Sequence, residues 1–195
     1  MTADLQKTAN ALVWCSIGAL LSLLGFTLPG CVLILIGALL GYRACRAGGF
    51  AVCSLCIIAL LLIQTVTQVY RSFYPMLSGN ALTNAPYIAL TFCLAGAVWF
   101  LMSACASALR GAGCRQSTGD CRITQALAIV YLALNAIVYV LLGPALPFAL
   151  LKLSLWAEPL MWLAMLISLL LARSKLTKRP KSAPKTVEEM RNRLQ

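Results

Sequence analysis

The chain has 195 residues, of which 61% are hydrophobic and only 11% are charged, and its mean hydropathy is +0.87. Average globular chains are about 45–50% apolar and about 25% charged, so this composition excludes a soluble domain. It predicts a multi-pass integral membrane protein surrounded by the lipid bilayer. We expect it in a plasma membrane, of the bacterial inner-membrane kind.

Long uncharged runs of sequence predict transmembrane helices, because a helix needs roughly 20 apolar residues to cross the hydrocarbon core. The first run is too long for one upright helix, and Pro29-Gly30 in its middle favours a hairpin. The sequence therefore predicts an all-α, polytopic transmembrane helix bundle of six spans, or of five if residues 11–42 form one kinked helix. The predicted helices are Asn10–Leu28, Cys31–Ala44, Phe50–Tyr70, Pro86–Leu109, Thr124–Leu142 and Phe148–Ala172.

The loops between these helices differ strongly in charge, and positively charged loops face the cytoplasm. With six spans, fourteen of the sixteen Lys and Arg residues fall on one side, and only Arg71 and Lys152 fall on the other. Both termini are therefore predicted to be cytoplasmic. Because this asymmetry accounts for the net charge of +11, we expect no nucleic-acid partner.

Residues 1–172 make up the predicted helix bundle, and residues 173–195 make up a basic cytoplasmic tail. The tail contains eight Lys and Arg residues, which anchor the topology and can attract anionic lipid. Thr186 and Glu189 have the spacing of a capping box, which predicts a short helix that could dock on a protein partner.

Small residues also recur at four-residue spacing, which in lipid lets helix backbones approach closely. This spacing predicts close helix packing within the chain, with a homo-oligomer face as the alternative. The pairs are Gly18/Ser22, Gly37/Gly41, Ser103/Ser107 and Ala104/Ala108.

The chain has nine cysteines and no histidine, which excludes Ser–His and Cys–His nucleophilic pairs. The glycines form no nucleotide-binding motif. We therefore predict no catalytic residue, no cofactor and no resident metal, and we do not expect an enzyme.

Four of the cysteines form two pairs, the CxxC at Cys53 and Cys56 and a loop pair at Cys114 and Cys121. In the number of pairs the chain resembles the quinone-coupled disulfide-generating family, which implies a thiol oxidoreductase with these four residues as redox groups. That family's loop pairs face the oxidising side, whereas the charge bias here puts both pairs at the cytoplasm, where thiols stay reduced. Inert buried thiols are one alternative, and a four-thiolate zinc site is another.

Polar side chains inside a membrane span are costly and usually face the bundle interior. Three predicted helices carry them at helical spacing in their outward halves. The residues are Gln64, Thr67, Gln68 and Arg71 on the third helix, Tyr131, Asn135 and Tyr139 on the fifth, and Glu158 on the sixth.

Glu158 is the single acid within a predicted span. Pro159 follows it, disfavours helical geometry at Glu158 and frees the carbonyl of Leu155. An acid beside a broken helical hydrogen bond is a recurrent feature of transporter sites. The alternative is a structural tie in which Glu158 pairs with Arg71 or bonds Gln68 or Tyr139.

The leading functional hypothesis is a small-solute transporter or a solute-binding membrane subunit, with a polar pocket in the outward half. Six helices with both termini inside resemble the substrate-binding subunits of energy-coupling-factor vitamin transporters in architecture, although the first hairpin here is shorter. A non-catalytic membrane scaffold and a membrane thiol oxidoreductase are the alternatives.

Overall fold

A computed structural model describes residues 2–73, 81–114, 118–138 and 148–177. These residues form six helices, so the first uncharged run is two helices and not one kinked helix. The helices are α1 (Thr2–Leu23), α2 (Thr27–Cys45), α3 (Gly48–Phe73), α4 (Ala81–Gly111), α5 (Gly119–Ala136) and α6 (Phe148–Thr177).

The turn between α1 and α2 does not lie at Pro29-Gly30, as predicted, but at residues 24–26. Gly25 has φ +91°, and the amides of Gly25 and Phe26 bond the carbonyls of Ser22 and Leu21 at 3.1 and 2.9 Å. This pattern is a Schellman motif, in which a left-handed glycine ends the helix. Pro29 instead falls in the first turn of α2, where its missing N–H costs nothing.

Two other prolines lie inside helices that were predicted to begin or break near them. Pro86 lies within α4, which begins at Ala81. Pro159 lies within α6, so Glu158 has helical geometry, contrary to the sequence-based expectation. Membrane helices tolerate such prolines because neighbouring helices and local adjustments compensate the lost hydrogen bond.

Several other helix ends extend beyond their predicted bounds, although α6 begins at Phe148 as predicted. α1 begins at Thr2 rather than Asn10 and includes Asp4 in its first turn, where a carboxylate favours the positive end of the helix dipole. α5 begins at Gly119 rather than Thr124. α6 continues to Thr177, so the first residues of the predicted tail are helical, and the predicted capping box lies outside the described residues.

The six helices pack as a ring in which each contacts the next in sequence, α6 returns to α1, and α4 also touches α6. The largest fully buried side chains come from α1, α3, α4 and α6 and include Leu12, Phe50, Leu101, Met102 and Trp162. The ring holds this core in its centre, and its consecutive members run antiparallel.

The closest backbone approach is between α1 and α2. A Cβ on Gly30 would lie 2.6 Å from the carbonyl oxygen of Gly18, and one on Gly37 would lie 2.8 Å from that of Ala11. Gly41 of α2 packs closely against the side-chain ring of Phe50 of α3. These contacts confirm that the small residues of α1 and α2 pack within the chain.

Four helices are long and apolar enough to cross a membrane, judged by length and composition within the described residues. They are Thr27–Cys45, Gly48–Tyr70, Ala85–Gly111 and Lys152–Thr177. α1 and α5 are less apolar because α1 begins with Asp4 and Lys7, and α5 with Asp120 and Arg122.

Candidate functional site

Glu158 lies on α6 and is half-buried. The indole N–H of Trp162, one helical turn away, donates a hydrogen bond of 3.3 Å to Oε1 of Glu158. Trp162 is itself 2% exposed, so its ring is fixed in the core and holds the carboxylate from the inner side.

Two polar residues of α5 lie at about the depth of Glu158. Thr124 of α5 faces Ala164 and Ser168 of α6, with its Oγ1 3.2 Å from the Ala164 carbonyl and 2.7 Å from the Ser168 hydroxyl. Measured along α5 from Thr124, Tyr131 is about 10 Å away at 1.5 Å per residue. Measured along the antiparallel α6, Glu158 is about 9 Å from Ala164 and about 15 Å from Ser168, the two residues that contact Thr124. Tyr131 and Asn135 are therefore near neighbours of Glu158 in depth.

Both α5 residues are buried, with Tyr131 6% and Asn135 8% exposed. The Asn135 amide donates to the Tyr131 carbonyl at 2.9 Å, which satisfies one amide hydrogen within the helix itself. Burying an amide in lipid is costly unless it is bonded.

The polar stripe of α3 lies across the ring from these residues. Gln64 and Thr67 are half-buried and Gln68 is exposed, and the Thr67 hydroxyl bonds the Ile63 carbonyl at 2.7 Å. α3 packs mainly against α2 and α4, so it does not form one interface with α5 and α6. The side chains of Arg71 and Tyr139 lie outside the described residues.

The core just inside Glu158 is apolar and nearly solid. A void of about 10 Å³ lies there, which is about the space of one water molecule. Its lining includes Cys31, Ile57, Val98, Trp162 and Met165. Leu101 and Met102, further along α4 towards the inner end of the ring, are 0% exposed.

The four candidate redox cysteines are free thiols with different degrees of burial. All nine cysteines lie in the described residues and all are free thiols. Cys53 and Cys121 are buried, whereas Cys56 and Cys114 are half-buried. Cys56 lies towards α4, since a Cβ on Gly96 would be 3.3 Å from its sulfur.

The described residues of His, Cys, Asp and Glu form no group of three or more that could hold a metal ion. The ion pair found in this part of the chain joins Lys175 to Asp120 at 3.2 Å. Glu158 has no cation among these residues, and its described hydrogen-bond partner is Trp162.

Sequence reasoning missed Trp162, although a residue four positions after Glu158 lies on the same helix face and could have been singled out. It also missed the network of Thr124 and Ser168 with the Asp120 carbonyl, which the Ser168 hydroxyl bonds at 3.1 Å. That network joins residues 44 positions apart, and no local spacing signals it.

Comparison with models of protein families, with curated proteins and with solved structures gave no match. The class is defined by the fold itself, an all-helical ring with four helices apolar enough to span a bilayer. The chain is an integral membrane protein in contact with lipid.

Proposed function

We propose that the chain is a small-solute transport protein or a solute-binding membrane subunit, with Glu158 as its ligand-binding acid. The observation that carries this proposal is the intramembrane carboxylate held by the Trp162 indole with no described cation opposite it. An ionisable residue inside a membrane is expensive and commonly marks a pathway for an ion or substrate. The carboxylate favours a cation, a proton or a solute amine.

Several features support a pocket open to one side. The void beside Trp162 measures only about 10 Å³, which supports a closely packed core between Glu158 and the inner end of the ring. Tyr131 and Asn135 carry a hydroxyl and an amide at about the same depth, and Gln64 and Thr67 lie across the ring on α3. Arg71 and Tyr139, whose side chains the structure does not describe, complete the proposed set.

The membrane topology belongs to the same proposal. Six spans with cytoplasmic termini follow from the fourteen-to-two distribution of positive charge, in a plasma membrane. We also retain an anionic-lipid contact of the basic tail, and a protein partner or second copy. A thiol oxidoreductase is disfavoured because Cys53 and Cys121 are buried.

Thermal unfolding of the detergent-purified protein tests the site. Wild type should be stabilised by one of three probes, sodium ions, ethylamine or lowered pH, because a bound ligand adds RT ln(1 + [L]/Kd) to the stability. Glu158→Gln should abolish this response while the bare protein becomes equally or more stable, since a costly buried charge is removed.

Glu158→Asp is the matched control, because it keeps the charge and should retain part of the response. If no probe stabilises wild type and Glu158→Gln lowers the stability of the bare protein, Glu158 is a structural tie. That result would overturn the transport proposal in favour of a membrane scaffold.

A further inference from the structure

A basic cavity lies where α4 ends and α5 begins. Its volume is about 320 Å³, and its lining includes Arg110 and Arg122 together with the polar side chains of Ser103, Thr118 and Gln125. Both arginines are exposed, and the Arg110 Nε donates to the Ala106 carbonyl at 3.3 Å. This backbone bond directs the Arg110 side chain along α4.

The charge of this cavity is not neutralised by the acids nearby. Asp120, in the first turn of α5, instead pairs with Lys175 of α6 at 3.2 Å. Neither Arg110 nor Arg122 forms an ion pair with an acid in the described part of the chain. The amino end of α5 also begins here, and its free backbone amides favour an anion.

An apolar groove lies next to the cavity on the same helix pair. It has a volume of about 330 Å³ and is lined by residues that include Phe92, Gly96, Trp99, Ala128 and Ile129. The small residues at its floor keep α4 and α5 from filling it. We call the groove and the basic cavity together the α4–α5 groove.

Gln125 connects the two parts. Its amide donates to the Ser103 hydroxyl at 2.8 Å and to the Trp99 carbonyl at 3.2 Å. Trp99 lines the apolar part, whereas Ser103 and Gln125 line the basic part. The α4–α5 groove is therefore one surface that changes from basic to apolar along the helix axis.

The α4–α5 groove is long enough for a lipid of one leaflet, because it runs about 27 Å along α4 from Arg110 to Phe92 at 1.5 Å per residue. The distance along α4 from Arg110 to Trp99 is about 16 Å at 1.5 Å per residue, and half of the hydrocarbon core is about 15 Å. With the arginines at the headgroup level, Trp99 thus lies near the end of an acyl chain in that leaflet.

We propose that the α4–α5 groove binds one anionic phospholipid, with its phosphate at Arg110 and Arg122 and an acyl chain against Trp99 and Ile129. Basic pockets between membrane helices recognise anionic headgroups, and the guanidinium fork matches phosphate geometry. The apolar part distinguishes a lipid from free phosphate. None of its lining residues belongs to the proposed Glu158 site or to the sequence of the basic tail.

The test measures lipid retained by the full chain in non-ionic detergent. The probe is an equal mixture of phosphatidylglycerol and phosphatidylcholine with identical acyl chains, and bound lipid is quantified by mass spectrometry. We expect about one phosphatidylglycerol per chain and a preference over phosphatidylcholine on the order of 10-fold, from two arginines near a headgroup.

Arg110→Gln with Arg122→Gln should reduce this preference to that of the bulk mixture. Arg43→Gln with Arg46→Gln is the matched control, since it removes the same charge elsewhere and should keep the preference. Ile129→Trp should reduce retention by filling the groove, whereas Ile167→Trp on the exposed face of α6 should not.

Three results would overturn the proposal. The first is an equal loss of preference in both arginine double variants, which would mean a general charge effect. The second is thermal stabilisation of wild type by inorganic phosphate alone that equals the stabilisation by phosphatidylglycerol, which would mean an anion site without lipid. The third is a dimer of wild type that Ile129→Trp dissociates, which would make the occupant a second copy.

Discussion

Thr124 shows how a single side chain can join two membrane helices. Its hydroxyl is 1% exposed and lies 2.7 Å from the hydroxyl of Ser168. The Ser168 hydroxyl in turn bonds the Asp120 carbonyl. Hydrogen bonds of this kind add to van der Waals packing between helices in lipid, where the hydrophobic effect gives no driving force.

Removal of this bond should lower the stability of the bundle. We expect Thr124→Val and Ser168→Ala each to reduce the free energy of unfolding by about 0.6–1.7 kcal/mol, with strong coupling in the double variant. Unfolding in a mixed-detergent titration measures this. Thr65→Val is the control, because Thr65 is exposed and bonds its own helix at Leu61. Additive effects of the two substitutions would contradict a direct bond.

The surroundings of Glu158 also show which features of the candidate site can be predicted from the sequence. Its position as an acid in an uncharged run was evident, and so was the helical spacing of Tyr131 and Asn135. The hydrogen bond from Trp162 to Glu158 could have been predicted from their four-residue spacing alone. The ring order, which puts α3 opposite α6, could not be derived from spacing, because it depends on which helix faces pack.

At the scale of helices, the α1–α2 hairpin shows which part of the fold could be predicted from the sequence and which part could not. The sequence indicates two helices, since an apolar run of this length exceeds one bilayer crossing. The turn was assigned to Pro29-Gly30 because proline and glycine both favour turns. Gly25 forms the turn instead, and Gly30 serves the backbone contact with Gly18, so two glycines in one run have different physical roles.

Gly30 therefore gives a prediction about helix packing. A Cβ at Gly30 would lie 2.1 Å from the Ser22 Oγ and 2.6 Å from the Gly18 carbonyl oxygen. Because a carbonyl of the backbone cannot rotate away, α1 and α2 must separate. We expect Gly30→Ala to lower the free energy of unfolding by about 1–3 kcal/mol, the usual cost of overpacking.

Gly111→Ala provides the matched comparison, since a Cβ there meets nothing within 4 Å. Alanine is also the better helix former, so this variant should be neutral or slightly stabilising. The same mixed-detergent unfolding titration compares both variants with wild type. Equal stability of Gly30→Ala and Gly111→Ala would mean that α1 and α2 are not in close contact.

At the scale of the whole molecule, the ring arrangement brings the charged ends of several helices together. Asp4 of α1, Cys45 of α2 and Gly111 of α4 line one cleft of about 390 Å³. Lys175 and Asp120 join the ends of α6 and α5. The turn at Gly25 lies at the opposite end, because α1 and α2 each run the length of the bundle.

Two exposed positions at opposite ends of the bundle can be labelled to determine the membrane topology. Cys45 is an exposed thiol at the charged end, where positive loops predict the cytoplasm. Phe26 is 60% exposed in the α1–α2 turn, so Phe26→Cys introduces a thiol at the other end. Cys121, by contrast, is 1% exposed and would remain unlabelled on either side.

An impermeant maleimide applied to intact cells should therefore label Phe26→Cys and leave wild type unlabelled. After the membrane is opened, wild type should react at Cys45, and Cys45→Ser should lose that label. Labelling of Cys45 in sealed cells would invert the topology and return the thiols to an oxidising side, which would revive the oxidoreductase hypothesis. Labelling of Phe26→Cys only after opening, with Cys45 also protected, would mean that α1 does not cross the bilayer. The two reporters thus separate an inverted six-span bundle from a bundle with fewer spans, which charge counting cannot distinguish.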